Sequence, residues 1–422
     1  MHKNNSYILT FVNLIILSCI SFAQHETAVP ILKIPASPFL NGMAAVGTAL
    51  PTSDEFGFSY NPAQLAYNTR FTPLAAHFYP VNIEISSRNK PTLKGSAFNI
   101  GFIIGGRRWK MPINFALGYM SFELDMGEVV YNDTTGNELG RILSNEYYDA
   151  FALAMGVKYW VEFYAGLNYK YVTSQPGYVV LPGNKLQNAR ERFGAWDYGF
   201  LVLIPIIGDQ NKMRNPGDQI RPKSHPIVNL SLGYSKSNIG GEVRYSDILP
   251  ANPLPRSAKL GYGLTAGYDF VIKKALIRLV QFDWSVQAND LLSNITPSSI
   301  ALNGSSIDYQ GFLGDINIYR NIISARGDNK VESRLGFSIE LGEVLRYSQG
   351  YFEGGGLEKR TTRGFAIRTK GIFKLLRRRY TRTWYSFIID NLDLRYFTST
   401  YHVNKDHKSR FHGISLQLRV FN

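Results

Sequence analysis

The feature that most constrains this chain is a long succession of segments in which every second residue is apolar. Phe151, Leu153, Met155, Val157 and Tyr159 alternate with Ala152, Ala154, Gly156 and Lys158. Leu260, Tyr262, Leu264, Ala266, Tyr268 and Phe270 alternate with Lys259, Gly261, Gly263, Thr265, Gly267 and Asp269. Val280, Phe282, Trp284 and Val286 face Gln281, Asp283, Ser285 and Gln287, and Leu335, Phe337, Ile339 and Leu341 face Gly336, Ser338, Glu340 and Gly342. A period of two is the signature of a strand, whose successive side chains point to opposite faces. A soluble sandwich would turn the apolar face inward. A barrel in lipid turns it outward and leaves the small and polar face to the lumen. Alternation alone does not say which face is inside. Strands of about ten or more residues, aromatics near the strand ends and glycine on the polar face favour the barrel.

The rest of the composition agrees. The chain has 422 residues, 45% of them apolar, and no stretch beyond Asn68 is long enough for a spanning helix. Mean hydropathy is −0.14, too low for a helical membrane protein. With 26 Tyr and 26 Phe, it carries what two aromatic girdles need. At the start, His2 and Lys3, the apolar run Tyr7 to Ile20 and Ser21-Phe22-Ala23 read as a secretory signal peptide over 1–23. Cys19, the single cysteine, falls inside it, so the mature chain has no disulfide or thiol chemistry. The net charge of +14, behind a signal peptide, points to lipid phosphate, lipopolysaccharide or acidic protein partners, and not to nucleic acid.

Fifteen strands are predicted, over 71–79, 98–108, 113–124, 147–159, 161–172, 196–205, 228–236, 239–245, 258–271, 276–287, 309–319, 334–345, 364–374, 384–396 and 411–421. Bacterial barrels have an even number, and the segments 239–245 and 309–319 fit the pattern least well. The polar linkers near 125–146, 173–194, 207–226, 289–308, 346–362 and 397–410 are the expected outer loops. The last strand alternates Ile414, Leu416, Leu418 and Val420 with Ser415, Gln417 and Arg419, and ends Phe421-Asn422, as a strand read by barrel-assembly machinery would.

Between the signal peptide and the strands lies a stretch of another kind, residues 24–70. It runs through Thr27-Ala28-Val29-Pro30, Gly42-Met43, Gly47 and Asp54 to Asn61-Pro62-Ala63. Pro62 fixes its own φ, Asn61 can bond nearby backbone, and Ala63 and Ala66 are small enough to lie against a crowded wall. This reads as a compact, irregular plug in the lumen, with the barrel following over 71–422. Gly42, Met43, Asp54, Asn61, Pro62 and Ala63 are its candidate functional residues.

The stretch resembles the N-terminal region of the PorV/PorQ family, within the superfamily of FadL-type outer-membrane barrels. There a small-residue segment with Gly-Met-Gly and an acidic residue leads into Asn-Pro-Ala before the first strand. Here the matching residues are Gly42-Met43, Asp54 and Asn61-Pro62-Ala63, while Ala44 stands where a second glycine is usual. The resemblance implies fourteen strands, no enzyme activity, no cofactor, and a role as an accessory of type IX secretion that handles cargo at the cell surface. The alternative it leaves open is FadL-like transport of long-chain fatty acids or other hydrophobic small molecules. Transport would need an apolar tunnel lined by residues such as Phe39, Leu40, Met43 and Phe56.

Catalytic motifs do not emerge: there is no G-x-S-x-G elbow, no P-loop and no H-E-x-x-H. His402, His407 and His412 fall five residues apart among Lys405 and Lys408, which disfavours a metal site. Lys374, Arg377, Arg378, Arg379 and Arg382 form a basic turn suited to phosphate or an acidic partner. Lys158, Lys170, Asp269, Asp283 and Glu340, single charges on small-residue faces, are expected to pair with charges of the plug.

Overall fold

The structure is a computed structural model that describes residues 27–70, 74–85, 91–104, 113–132, 136, 138–181, 185–208, 224–246, 251–272, 275–297, 305–376, 392–402 and 408–421. The expected signal peptide lies outside them. Among the described residues, no helix is long and apolar enough to cross a membrane. Fourteen strands pair in chain order: β1 Leu74–Ile85, β2 Thr92–Ile104, β3 Ile113–Asn132, β4 Glu138–Lys158, β5 Glu162–Leu181, β6 Lys185–Ile207, β7 Ser224–Gly240, β8 Ser257–Ile272, β9 Ala275–Leu291, β10 Val331–Leu341, β11 Leu345–Gly354, β12 Leu357–Arg368, β13 Leu392–His402 and β14 Lys408–Phe421. All are antiparallel, and β14 pairs back onto β1 from Leu74↔Phe421 to Ile85↔Ser409, which closes the barrel. The rim holding Leu74 and Phe421 is called here the terminal rim.

Two expected strands are not in the wall, and one wall strand was not foreseen. Residues 239–245 divide between the end of β7 and the two-residue segment Glu242–Val243, which pairs with Asn252–Pro253 apart from the wall. Residues 309–319 divide between the hairpin 293–297/305–309 and a π-helix, Ile318–Ile323. The expected loop at 346–362 is instead β11 and the start of β12, turned by Gly354, Gly355 and Gly356, all at positive φ. The expected strand 334–345 is broken by Gly342 and Glu343, whose φ values of 62° and 55° make a tight turn. The linkers expected at 125–146 and 173–194 are largely strand: β3 to β6 run to 20, 21, 20 and 23 residues. By contrast, β10, β11 and β12 have 11, 10 and 12.

The alternation resolves with the apolar face outside. Phe151, Leu153, Met155, Phe163, Leu167, Phe200, Leu232, Ile339 and Leu416 are exposed, while Asn99, Asn168, Asp197, Ser231, Asp283, Ser338, Glu340 and Gln417 are buried. This inverts the arrangement of a soluble protein. The apolar belt on β3 spans Ile113 to Tyr119 and gives way to Ser121 and Glu123, and on β7 it ends at Tyr234 before Lys236.

Glycines on the inner face let the N-terminal segment lie on the wall. Gly166 of β5 and Gly199 of β6 are register partners. A Cβ at Gly166 would come 2.4 Å from the Pro62 carbonyl, and one at Gly199 would come 2.1 Å from Asn61 Oδ1. Gly336 and Gly350, also partners, accept the backbone of Met43 and Ala44 in the same way. Gly199→Val is therefore expected to cost about 1–3 kcal/mol by overpacking, whereas Gly241→Val, with nothing within 4 Å of its Cβ, stays within about 0.5 kcal/mol of wild type. Unfolding midpoints in detergent check this, and equal effects at the two positions would refute it.

Candidate functional site: the filled interior

The N-terminal segment crosses the lumen from the far rim to the terminal rim. Ala28 N–H donates to the carbonyl of Pro253 in the far-rim connection after β7, at 3.0 Å. Ile31 N–H donates to Glu146 Oε2 of β4 at 2.9 Å. Helix α1 (Pro38–Asn41) follows, capped by Ser37, whose Oγ accepts from Leu40 N–H. Ala44 and Ala45 sit at φ 57° and 60°, in the left-handed region that favours glycine. Helix α2 (Gln64–Thr69) then leads to β1 at the terminal rim, so the segment is helical in part and not wholly irregular.

Each residue singled out in the sequence has a place in this packing. Asn61 is fully buried; its Nδ2 donates to the carbonyls of Thr48 (2.7 Å) and Phe200 (2.9 Å), and its Oδ1 accepts from Ala63 N–H (3.0 Å). One side chain thus ties the segment to itself, to β6 and to the start of α2. Pro62 and Ala63 lie on the paired glycines. The Gly42 carbonyl accepts from Thr362 Oγ1 of β12 at 3.0 Å, and a Cβ there would strike Gly364. Met43 packs with Val46 and Leu50, its Sδ 3.8 Å from Arg346 Nη2. Asp54 accepts from Ser37 Oγ and from Phe56 N–H at 2.8 Å.

The wall charges singled out in the sequence pair within the wall, contrary to expectation, while Glu162 of β5 also meets Arg70 of the segment at 3.2 Å. Lys170 pairs with Asp197 at 2.8 Å, Lys158 with Glu162 at 3.6 Å and Asp269 with Arg278 at 2.6 Å. Near the terminal rim a relay runs across the inner face from β9 to β13. Asp283 meets Arg346 (2.7 Å), Arg346 meets Glu340 (3.5 Å), Glu340 meets Arg368 (2.6 Å), and Asp393 joins Arg368 (2.9 Å) to Arg395 (2.8 Å). The relay touches the segment mainly through neutral groups. Arg395 Nη1 donates to the Ser53 carbonyl (3.2 Å) and Oγ (2.8 Å), and the Arg346 guanidinium lies 4.0 Å over the Phe39 ring. Glu55 is the exception, accepting from Ser415 Oγ at 2.9 Å and Gln417 Nε2 at 2.7 Å. Sequence reading missed Arg346 because it fell in an expected loop. Arg395 was discoverable by phase, since it lies between outward-facing Leu394 and Tyr396.

On the β2–β5 side an apolar cluster lies among buried polar groups such as Asn99, Glu146, Asn168 and Lys170. Met120, Phe122, Leu124, Tyr148 and Val172 are buried inner-face residues packed with Phe56, Phe58 and Leu65 of the segment. Phe56 and Phe122 lie 5.2 Å apart between ring centroids, and Phe122 and Tyr148 5.5 Å. The tunnel expected along Phe39, Leu40, Met43 and Phe56 is not open. Leu40, Met43 and Phe56 are fully buried, and the cavity beside Phe39, Asp54 and the arginines measures about 10 Å³, about enough for one water.

Of the basic turn, Lys374 belongs to helix α3 (Lys370–Leu376), where a strand was expected, and it pairs with Glu343. Burial raises the Glu343 pKa, but Lys370, Lys374 and Arg368 outweigh it and hold the carboxyl at about 2. Arg377, Arg378, Arg379 and Arg382 lie outside the described residues, as does His407. Among the described residues, no group of His, Cys, Asp and Glu could hold a metal ion.

No known protein family matches the chain, and no curated protein does. Solved structures of similar fold include the CymD monoaromatic hydrocarbon channel, 12% identical over 91% of this chain and 97% of that one, with a TM-score of 0.40. The toluene transporter TbuX of Ralstonia pickettii is 12% identical over 92% and 98%, with a TM-score of 0.35. A FadL homologue of Pseudomonas aeruginosa is 8% identical over 90% and 97%, with a TM-score of 0.39. At that distance the likeness concerns the form of the barrel alone.

Burial, with Glu55 beside it, pushes the Asp54 carboxyl from 3.8 up to about 7, against the bonds from Ser37 and Phe56 and the charge of Arg395. The folded chain therefore holds a proton that the unfolded chain has lost between pH 3.8 and about 7. Stability falls as pH rises through that window and levels off above it. Thermal unfolding in detergent at about pH 5 and about pH 8 should show this fall, and Asp54→Asn should flatten it. An unchanged slope in the variant would refute the assignment.

Proposed function

We propose that this chain is a non-enzymatic bacterial outer-membrane barrel, exported by its signal peptide, with residues 24–70 as a plug that gates passage of apolar small molecules. The membrane setting rests on the outward apolar belt and on ring closure, since a spanning sheet must leave no unpaired edge in lipid. The transport reading rests on one observation: the inner wall from β2 to β5 presents Met120, Phe122, Leu124, Tyr148 and Val172 against the plug's own apolar side chains. Aromatic side chains also line the opposite half, where Phe352, Phe397, Tyr401 and Phe411 are buried, but there they lie beside the charged relay. The packed aromatic column is a route that opens when the plug shifts. Its small gap to the plug makes the observed conformation the closed one.

A second reading has its own support. At about 3.3 Å per residue, β3 to β6 are roughly twice as long as a spanning strand requires, so their far-rim halves stand clear of the lipid. A broad outer surface of this kind suits a PorV/PorQ-like accessory of type IX secretion that receives folded cargo. Pull-down from mildly solubilised membranes separates the two: a translocon or secreted proteins favour this second reading, and a co-purified apolar molecule favours transport.

Toluene, which one of the proteins of similar fold transports, serves as the probe. Cells expressing the protein should take up radiolabelled toluene several-fold faster than cells without it. Met120→Arg, which sets a cation in the column, should return uptake to background while the barrel still shows its heat-dependent shift in electrophoretic mobility. Equal uptake in all three would defeat the transport reading. In the same assay, Leu153→Arg on the lipid face should instead destabilise the barrel, by about 2–4 kcal/mol near the midplane.

A further inference from the structure

Of the connection between β9 and β10, residues 311–326 do not stand above the barrel as an outer loop. They fold down over the outside of the wall. Tyr234 of β7 faces outward, and its hydroxyl donates to the Phe312 carbonyl at 2.6 Å while its ring stacks on Phe312 at 4.2 Å between centroids. Outward-facing Lys236 donates to the Gly311 carbonyl at 3.1 Å. Ser333 Oγ, on the outer face of β10, donates to the Asn321 carbonyl at 2.9 Å. Beneath the excursion the outer face changes character: Ala258, Ala288, Val331 and Ser333 are small and fully buried, covered by Ile316 and Ile322. Large belt residues give way where another layer of protein replaces lipid.

The outer side of this layer is apolar in its turn. Phe312 is 59% exposed, and Ile318, Tyr319 and Ile323 of the π-helix are 55%, 72% and 63% exposed. Phe312 sits on Tyr234, the last apolar outward residue of β7, so this patch continues the barrel's own belt at the far rim. Arg320 and Arg326 are exposed beside it. Side chains with apolar bodies and cationic neighbours at such a level match the boundary between acyl chains and phosphate headgroups.

We propose that residues 311–326 form an interfacial foot, with Phe312, Ile318, Tyr319 and Ile323 seated in the headgroup–acyl boundary of the outer leaflet and Arg320 and Arg326 among its phosphates. The proposal rests on the membrane reading above. The foot widens the barrel's contact with lipid on the β7–β10 side, next to the tall strands, and so fixes the depth of the barrel.

The mature chain lacks cysteine, so single labels can be placed cleanly. Tyr319→Cys, and Leu117→Cys in the belt as reference, would each carry an environment-sensitive dye in vesicles of phosphatidylcholine and phosphatidylglycerol. The vesicles would contain lipid spin-labelled either near the carbonyl or near the methyl end of the acyl chain. Seating about 5–10 Å into the boundary should blue-shift the dye at position 319 and quench it chiefly with the carbonyl-end label. Quenching at 117 with a water-like, unquenched dye at 319 overturns the foot and leaves the membrane reading standing. Absence of quenching at both positions overturns both. Ile318→Ser combined with Ile323→Ser should abolish the quenching at 319 and leave that at 117 intact.

Discussion

The backbone pairing of β14 onto β1 is the bond set on which everything else depends. An open sheet edge in hydrocarbon would leave a row of donors and acceptors unmet, each costing several kcal/mol. Closing fourteen strands into a ring removes the edges but creates an interior too wide for wall side chains alone to fill. The interior is therefore filled by the chain's own first ordered segment. The inner-face glycines are where ring and filling meet, because backbone can approach backbone only where Cβ atoms are absent.

How that filling is held matters for whether it can move. Burying charge is costly, and removing one partner of a buried pair is more costly still. Here the arginines and carboxylates of the inner wall satisfy one another along a relay from Asp283 to Arg395. The segment offers them mostly neutral acceptors such as the Ser53 carbonyl. Withdrawing it would break hydrogen bonds, the contacts of Glu55 and the buried Arg70–Glu162 pair. A plug gripped by direct ion pairs, as the isolated luminal charges first suggested, would be far harder to displace.

The barrel was legible because an apolar outer face and a small, polar inner face together write a period of two. Segments such as 151–159 and 260–270 therefore announced themselves. Strand number was harder. The excursion past β9 alternates weakly because it packs as a second layer, and β11 was hidden because Arg346, Gln349 and the glycine run after it look like a solvated loop. The count of fifteen included two segments that are not wall strands and missed one that is, which leaves the fourteen observed. In the plug, Asn61-Pro62-Ala63 was visible by residue type alone, while its partners Gly166, Gly199 and Phe200 lie more than a hundred residues away. Contacts of that kind leave no local trace. The relay arginines were partly recoverable, since phase places Arg395 inward once its strand is accepted.

The path of the N-terminal segment carries a consequence for the order of events. It enters beside Pro253 at one rim and leaves into Leu74 at the other, where β1 also meets the end of β14. A thread that passes through a ring cannot be inserted sideways once the ring is shut. It can enter only end-on or before β1 and β14 pair, so seating of the segment and closure of the seam constrain each other.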